Sequence, residues 1–164
     1  MTDELKQKFS DEVFLHVGIL QKICRIYKKD PADREDLFQE ILYNAWHAYP
    51  RFEGRSKFSS WLYRVALNTA LHQNRKDRKT DSLALLENST VDPFEKEEVD
   101  TLEMLYQAID HLNPLEKSII ILFLDDQSYN EIAEITGLSV NNVGVKINRI
   151  KAKIKKIMSD YGIR

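Results

Sequence analysis

Cysteine, glycine and proline are scarce in this chain, and long apolar runs are absent. Its 164 residues include one cysteine, five glycines and four prolines. The single cysteine, Cys24, excludes an internal disulfide and suits a reducing compartment. No apolar run approaches the roughly 18–20 residues that span a bilayer. Residues 1–8 are polar and do not resemble a signal peptide. We therefore expect a cytoplasmic protein.

Catalytic and metal-binding patterns are also missing. The four histidines lie far apart and show no metal-ligand spacing. No glycine-rich phosphate loop or nucleophile motif is present. Asp125 and Asp126 form a tight acidic pair, which we expect to end a helix at the surface. An enzyme, a cofactor, a metal site and a small-molecule substrate are therefore not expected.

The net charge of −2 conceals two basic segments and an acidic one. Residues 64–79 contain five bases and one acid, and residues 80–103 contain eight acids and one base. Residues 139–158 contain several bases and no acid. Because the Debye length is about 8 Å at physiological salt, phosphate binding depends on such local charge rather than on the average.

The hydrophobic pattern predicts an all-α fold with two small helical domains. No strand-like alternation of useful length appears. We assign residues 1–79 to a first domain, residues 80–100 to a flexible acidic linker and residues 101–164 to a second domain. In the first domain, helices are predicted near residues 9–28, 31–49 and 59–75.

A helix-turn-helix is predicted near the C-terminus. Ala133 is small enough for two helices to approach closely, and Gly137 suits a tight turn with positive φ. Val143 then anchors the second helix inward. Ser128 and Glu131 form an S-x-x-E capping box for the first helix.

The last helix presents a polar face opposite an apolar one. Val143, Ile147, Ile150, Ile154 and Ile157 share a narrow arc of the helical wheel. The opposite face and its flanks carry side chains that suit the major groove or phosphates. The predicted DNA-binding residues are Asn141, Asn142, Val145, Lys146, Asn148, Arg149 and Lys153.

Three runs in the first half resemble conserved region two of bacterial sigma factors. They are D-R-E-D-L-F-Q-E at 33–40, A-W at 45–46 and F-x-G-x-S-x-F-S-x-W-L-Y-R at 52–64. The C-terminal part resembles region four. Together they cover nearly all of the chain and resemble the minimal extracytoplasmic-function (ECF) type, which has these two domains. The third run is highly specific.

The resemblance implies that the chain binds core RNA polymerase, recognises the minus-thirty-five and minus-ten promoter elements and assists DNA melting. It assigns the last helix to the minus-thirty-five element. The residues implied for minus-ten binding and melting are Phe52, Gly54, Ser56, Lys57, Trp61, Arg64, Asn68, Arg75, Lys76 and Arg78. Phe52 also suits a core position, and Trp61 suits one better.

The implied polymerase-binding surface is the exposed face of the helix at 33–49. Its residues are Asp36, Gln39, Glu40, Tyr43 and Asn44. The family further implies an anti-sigma partner, often anchored in the inner membrane. Two DNA-binding surfaces on one tether also permit the domains to fold together and occlude each other.

One departure from the family concerns the start of the last helix. Family members often have Lys or Arg, then Ser or Thr, after the aliphatic anchor, whereas this chain has Gly144 and Val145. The base contacts that family members make at these two positions therefore cannot be assigned to Gly144 and Val145. A hypothesis is that Gly144 lets the backbone approach DNA closely. The alternative function is a helix-turn-helix regulator that never engages polymerase, which leaves residues 36–40 without a role.

Overall fold

Helices make up the regular structure of the described residues, which confirms the all-α prediction. The computed structural model describes the backbone of residues 2–80 and 101–161 and the side chains of residues 2–76 and 101–161. The helices are α1 (Asp3–Leu15), α2 (Val17–Tyr27), α3 (Pro31–Ala48), α4 (Phe58–Thr80), α5 (Thr101–Asp110), α6 (Pro114–Leu124), α7 (Tyr129–Thr136) and α8 (Val140–Asp160), with a 3-10 turn at Tyr49–Arg51 after α3. The rest of the predicted linker, residues 81–100, lies outside the described residues.

The first four helices pack around an aliphatic core. The start of α3 is capped, since the Asp30 carboxylate accepts a hydrogen bond from the Ala32 amide and Pro31 occupies the first turn. Helices α2, α3 and α4 pack against one another. The fully buried side chains between them include Leu20, Ile23, Leu37, Ile41 and Leu62.

The prediction of a single helix over residues 9–28 is wrong, because the helix is interrupted at His16. This residue has φ −116° and ψ 15°, outside the helical region. Its Nδ1 lies 2.8 Å from the Glu12 carbonyl oxygen. Val17 and Gly18 follow, and both residue types are weak helix formers. Helix α1 therefore ends before α2 begins, and the ring of Phe9 in α1 packs against the Trp46 ring, with 5.2 Å between the centroids.

The last four helices form a second packed group. Asn113 and Glu116 make a reciprocal capping box at the start of α6. Helix α6 is apolar on most of its surface and packs against α7 and α8. Burying a side chain such as Ile147 contributes about 1.5–3 kcal/mol relative to exposure. The fully buried residues here include Ile109, Ile119, Ile121, Leu122, Ile132, Val143 and Ile147.

The two helix groups contact each other directly. Helices α2 and α4 of the first group lie against α5, α6 and α7 of the second. The Tyr27 hydroxyl donates a hydrogen bond of 2.8 Å to the Pro114 carbonyl oxygen. Burial raises the pKa of Tyr27, so this hydroxyl stays protonated as a donor. The structure is therefore a closed arrangement, in which both cores share one boundary.

Candidate nucleic-acid and polymerase interfaces

The helix-turn-helix has the predicted local geometry. Ser128 and Glu131 form the capping box of α7. The backbone hydrogen bond from Ser128 is the main cause that lowers the pKa of the Glu131 carboxyl. Gly137 ends α7 with φ 79°, and the Ser139 hydroxyl accepts from the Asn142 amide at 3.2 Å to cap α8. These contacts fix how α8 leaves the turn.

Helix α8 buries the predicted apolar face. Val143, Ile147, Ile150 and Ile154 are buried, and Ile157 is half-buried. The structure leaves the residues predicted to bind the minus-thirty-five element at the surface, with only Lys146 half-buried. The exposed ones are Asn141, Asn142, Val145, Asn148, Arg149 and Lys153. The first turns of α8 therefore present amides, one aliphatic side chain and cations together.

Two positions on α8 have partners within the protein that the sequence did not reveal. A β-carbon built on Gly144 lies 3.4 Å from Cε2 of Tyr129 in α7. The position therefore faces a protein side chain at the contact between α7 and α8. Lys153 forms an ion pair with Glu116 at the start of α6. The Lys153 side chain is 53% exposed, so it also remains open to a phosphate.

The loop before α4 surrounds an aromatic cluster. The Phe52 ring lies 5.1 Å from Trp61 and 6.0 Å from Phe58, between ring centroids. Tyr49 packs 6.1 Å from Phe52. Phe52 and Trp61 are half-buried, so each contributes to the core and keeps an edge at the surface. Gly54 has φ 71°, which turns the loop outward in a conformation that glycine adopts at little cost.

The remaining residues predicted to bind the minus-ten element extend from this loop along α4. Ser56 is half-buried and Lys57 is exposed. Four of the predicted positions on α4 are exposed, and they recur at spacings that keep most of them on one side of the helix: Arg64, Asn68, Arg75 and Lys76. The side chain of Arg78 lies outside the described residues. The loop and α4 thus form a second polar and cationic surface, separate in sequence from that of α8.

The outer face of α3 carries most of the predicted polymerase-binding residues. Asp36, Gln39 and Tyr43 are exposed, and Tyr43 is 63% exposed despite its large ring. Glu40 is half-buried and accepts a hydrogen bond from Gln73 of α4. Asn44 does not belong to the exposed face, since its Nδ2 donates 3.0 Å to the Thr69 hydroxyl between α3 and α4. Asn44 therefore holds the two helices together.

Several contacts across the helix groups involve residues of the second cationic surface. The Lys57 ammonium lies 3.6 Å from the Glu131 carboxylate. The Arg64 guanidinium donates 2.9 Å to the Glu134 carbonyl oxygen. Both partners belong to α7, so the first helix of the helix-turn-helix lies beside the start of α4. Part of the predicted minus-ten surface is therefore engaged by the protein itself.

An acidic residue at the end of α6 has an unexpected role in the same boundary. One Asp125 carboxylate oxygen accepts from the Lys22 ammonium at 2.7 Å. The other oxygen accepts from the hydroxyl of Tyr63, whose side chain is fully buried. The sequence marked Asp125 only as half of an acidic pair at a helix end. No local signal locates partners 103 and 62 positions away.

Other chemistry is sparse among the described residues. Among the side chains of residues 2–76 and 101–161, no group of three histidine, cysteine or carboxylate residues is placed to hold a metal ion. None of the helices described is long and apolar enough to cross a membrane. Burial raises the pKa of the Cys24 thiol to about 11, so it remains protonated at neutral pH.

Comparisons with known proteins match two stretches of the chain to known families. Residues 15–80 match the family Sigma-70 region 2, and residues 102–154 match the family Sigma-70, region 4. RNA polymerase sigma factor SigV of Bacillus subtilis (strain 168) is 31% identical over 137 residues, which cover 82% of this chain and 81% of the relative. ECF RNA polymerase sigma factor SigW of the same organism is 27% identical over 167 residues, covering 93% and 89%.

A solved structure shares the fold. The sigma factor RpoE from Bartonella quintana, in complex with the anti-sigma factor NepR, superposes with a TM-score of 0.76. It covers 93% of this chain and 98% of that chain at 22% identity. The paired region matches and the identity to SigV decide the family. The chain belongs to the RNA polymerase sigma factors of the ECF type, which direct RNA polymerase to promoters.

Proposed function

We propose that this sigma factor works through three separate surfaces, one for each task of initiation. Helix α8 reads the minus-thirty-five element, the loop at 52–58 with α4 binds the minus-ten element, and the outer face of α3 binds core RNA polymerase. The observation that carries the proposal is the separation of two cationic surfaces on different helix groups, with an acidic face on α3. The proposed division is residues 1–79, 80–100 and 101–164.

The minus-thirty-five role follows from the chemistry of α8. N-terminal residues of a recognition helix reach base edges, and later residues reach phosphates. Asn141 and Asn148 offer the paired donor and acceptor that suit adenine, and Arg149 suits guanine or phosphate. Val145 is 42% exposed and fits against a thymine methyl. Lys153 lies further along α8, where a phosphate contact is expected.

The minus-ten role follows from the aromatic cluster beside cations. A base removed from the DNA stack needs a new apolar or aromatic contact, worth about 1–3 kcal/mol per base. Phe52 and Trp61 keep surface edges in a packed cluster, which gives such a contact a fixed shape. Arg64, Arg75 and Lys76 follow along α4 and supply positive charge for the adjacent phosphates.

The polymerase role rests on α3. Asp36, Gln39 and Tyr43 form an exposed patch with one carboxylate, one amide and one aromatic ring. Glu40 lies at the edge of this patch, where Gln73 orients its carboxylate. Aromatic residues are enriched in protein interfaces, and the exposed Tyr43 has no core function. The alternative, a regulator that never engages polymerase, gives this patch no task.

We further propose the setting in which the chain acts. It works in the cytoplasm, without catalysis, cofactor or metal of its own, on promoter DNA and core RNA polymerase. We expect an anti-sigma factor to restrain it. The structural similarity to RpoE, which was solved in complex with the anti-sigma factor NepR, supports that partner.

The polymerase-binding role is tested by variants of two neighbouring acids. Asp36→Ala is expected to lower retention of the chain on immobilised bacterial core polymerase, and run-off transcription from its promoters falls with it. Glu35→Ala is the matched control, because Glu35 is also exposed on α3 but lies outside the proposed surface. Equal retention of both variants and the wild type would remove Asp36 from the surface. No retention of the wild type would contradict polymerase binding altogether.

A further inference from the structure

We propose that the chain inhibits itself in the closed arrangement, held by a latch in which Asp125 of α6 bridges Lys22 of α2 and Tyr63 of α4. The closed arrangement covers part of the minus-ten surface and keeps the two DNA-binding surfaces too close together for one promoter. The proposal rests on the assignment of the minus-ten surface given above. It concerns contacts made by this chain alone, without a partner protein.

The latch uses both oxygens of one carboxylate. Lys22 donates to one oxygen at 2.7 Å, and the buried Tyr63 hydroxyl donates to the other. The Lys22 and Asp125 side chains are only 35% and 31% exposed, so solvent screens this pair less than a surface pair. Hydrogen bonds to a charged group are about twice as strong as neutral ones. Opening the domains would leave the Tyr63 hydroxyl without this acceptor.

Other contacts extend the same boundary. The Arg25 guanidinium lies 4.0 Å from the centroid of the Tyr106 ring and pairs with Glu103 at 3.2 Å. Tyr27 donates to the Pro114 carbonyl oxygen at 2.8 Å. The boundary therefore combines a cation–aromatic contact with directed hydrogen bonds. Such directed contacts favour one specific closed arrangement over a loose association of the two groups.

The closed arrangement conflicts with minus-ten binding locally. Helix α7 lies against the start of α4, where Glu134 accepts from Arg64 and Glu131 pairs with Lys57. These two cations are assigned to the minus-ten DNA. A DNA strand that reaches them must first displace α7. The Glu131 carboxylate also places negative charge where a phosphate would lie.

The closed arrangement conflicts with promoter geometry as well. The minus-thirty-five and minus-ten elements are named for positions about 25 base pairs apart, which is about 85 Å at about 3.4 Å per pair. A compact chain of this length has a radius of gyration of about 15 Å and a diameter of about 40 Å. One closed molecule therefore cannot reach both elements. Binding a whole promoter requires the two helix groups to separate.

The test compares two adjacent acids in the full-length chain. Asp125→Asn keeps the size of the side chain and removes the charge of the latch. Asp126→Asn is the matched control, because it removes one negative charge at the adjacent position. Asparagine tolerates the φ of 60° that residue 126 adopts. Tyr63→Phe removes only the hydroxyl and serves as a second latch variant in case Asp125→Asn fails to fold.

Two measurements report whether the chain is closed or open. Small-angle X-ray scattering should give a radius of gyration of about 15 Å for the wild type and larger values for the latch variants, toward about 25 Å when fully open. Fluorescence anisotropy should show the latch variants binding a single-stranded minus-ten oligonucleotide about tenfold more tightly, because more of the chain is competent to bind. Asp126→Asn should match the wild type in both.

Three outcomes separate the proposal from its premise. If the latch variants match the wild type in scattering and binding, or if the wild type is already extended, the latch is wrong. If scattering shows opening but Arg64→Ala leaves minus-ten binding unchanged in the reconstituted holoenzyme, the minus-ten assignment is wrong and the latch stands. If all latch variants and the wild type bind the oligonucleotide equally within the holoenzyme, the proposal is supported, because polymerase then holds every chain open.

Discussion

Gly137 offers a direct test of the helix-turn-helix, because its substitution changes backbone strain and little else. The residue ends α7 with φ 79°, and a β-carbon built there meets nothing within 4 Å. Alanine in this left-handed conformation costs about 1–2 kcal/mol. The smaller entropy of the unfolded alanine chain offsets about 0.4–1 kcal/mol of that cost. We therefore expect Gly137→Ala to destabilise the protein by about 1 kcal/mol.

Thermal unfolding followed by far-ultraviolet circular dichroism measures this effect. For a chain of this size, about 1 kcal/mol lowers Tm by about 2–4 °C. Gly18→Ala is the matched control, because Gly18 lies in α2 with ordinary φ and also has nothing within 4 Å of a built β-carbon. That variant is expected to gain about 0.5 kcal/mol. A Gly137→Ala chain that melts at or above the wild-type temperature would refute the reasoning about the turn.

Three further predictions concern local contacts. Gly144→Ala should raise the free energy of unfolding by about 0.5–1 kcal/mol in chemical denaturation, because the new methyl group meets the Tyr129 ring at an ordinary contact distance. A loss of stability would show that the Tyr129 ring cannot move to accommodate the methyl group. Ser128→Ala should cost about 1 kcal/mol by removing the cap of α7, and an unchanged midpoint would contradict that. Cys24 should resist alkylation at pH 8 in the native state and react quickly in denaturant, because burial raises its pKa to about 11.

The Cys24 shift also has a pH consequence. A folded-state pKa above the unfolded value of 9.0 means that the fold favours the neutral thiol. The resulting stability is fully present below pH 9 and is lost as pH rises toward about 11. Chemical denaturation at several pH values, compared with Cys24→Ala, isolates this term. A difference between the two chains that stays constant across that range would contradict the shift.

The features that the sequence predicted well are local ones. Capping of α7 by Ser128 depends on hydrogen bonds to Glu131, three residues away. The positive φ of Gly137 follows from a turn between two amphipathic segments. The apolar face of α8 follows from helical periodicity alone. These signals determine the helices and the surface that each helix leaves exposed.

The features that the sequence did not predict depend on neighbouring residues from other helices. His16 breaks a helix that periodicity would continue, and its ring packs against Phe58 of α4 at 5.4 Å between centroids. Asn44 lies on the predicted exposed face by position, yet it bonds Thr69 of α4 because the two helices cross there. Gly144 adjoins the Tyr129 ring, and Asp125 meets partners from α2 and α4. Each of these depends on how helices pack, which spacing along one helix does not encode.

Hydroxyl-radical footprinting of promoter DNA by the reconstituted holoenzyme tests the central claim most directly. The wild-type chain should protect two patches, one at each promoter element. Arg149→Ala should weaken only the minus-thirty-five patch, and Arg64→Ala should weaken only the minus-ten patch. Lys8→Ala should leave both intact, because that exposed cation on α1 belongs to neither surface. Loss of both patches in either arginine variant, or of neither patch in both, would contradict two independent DNA-binding surfaces.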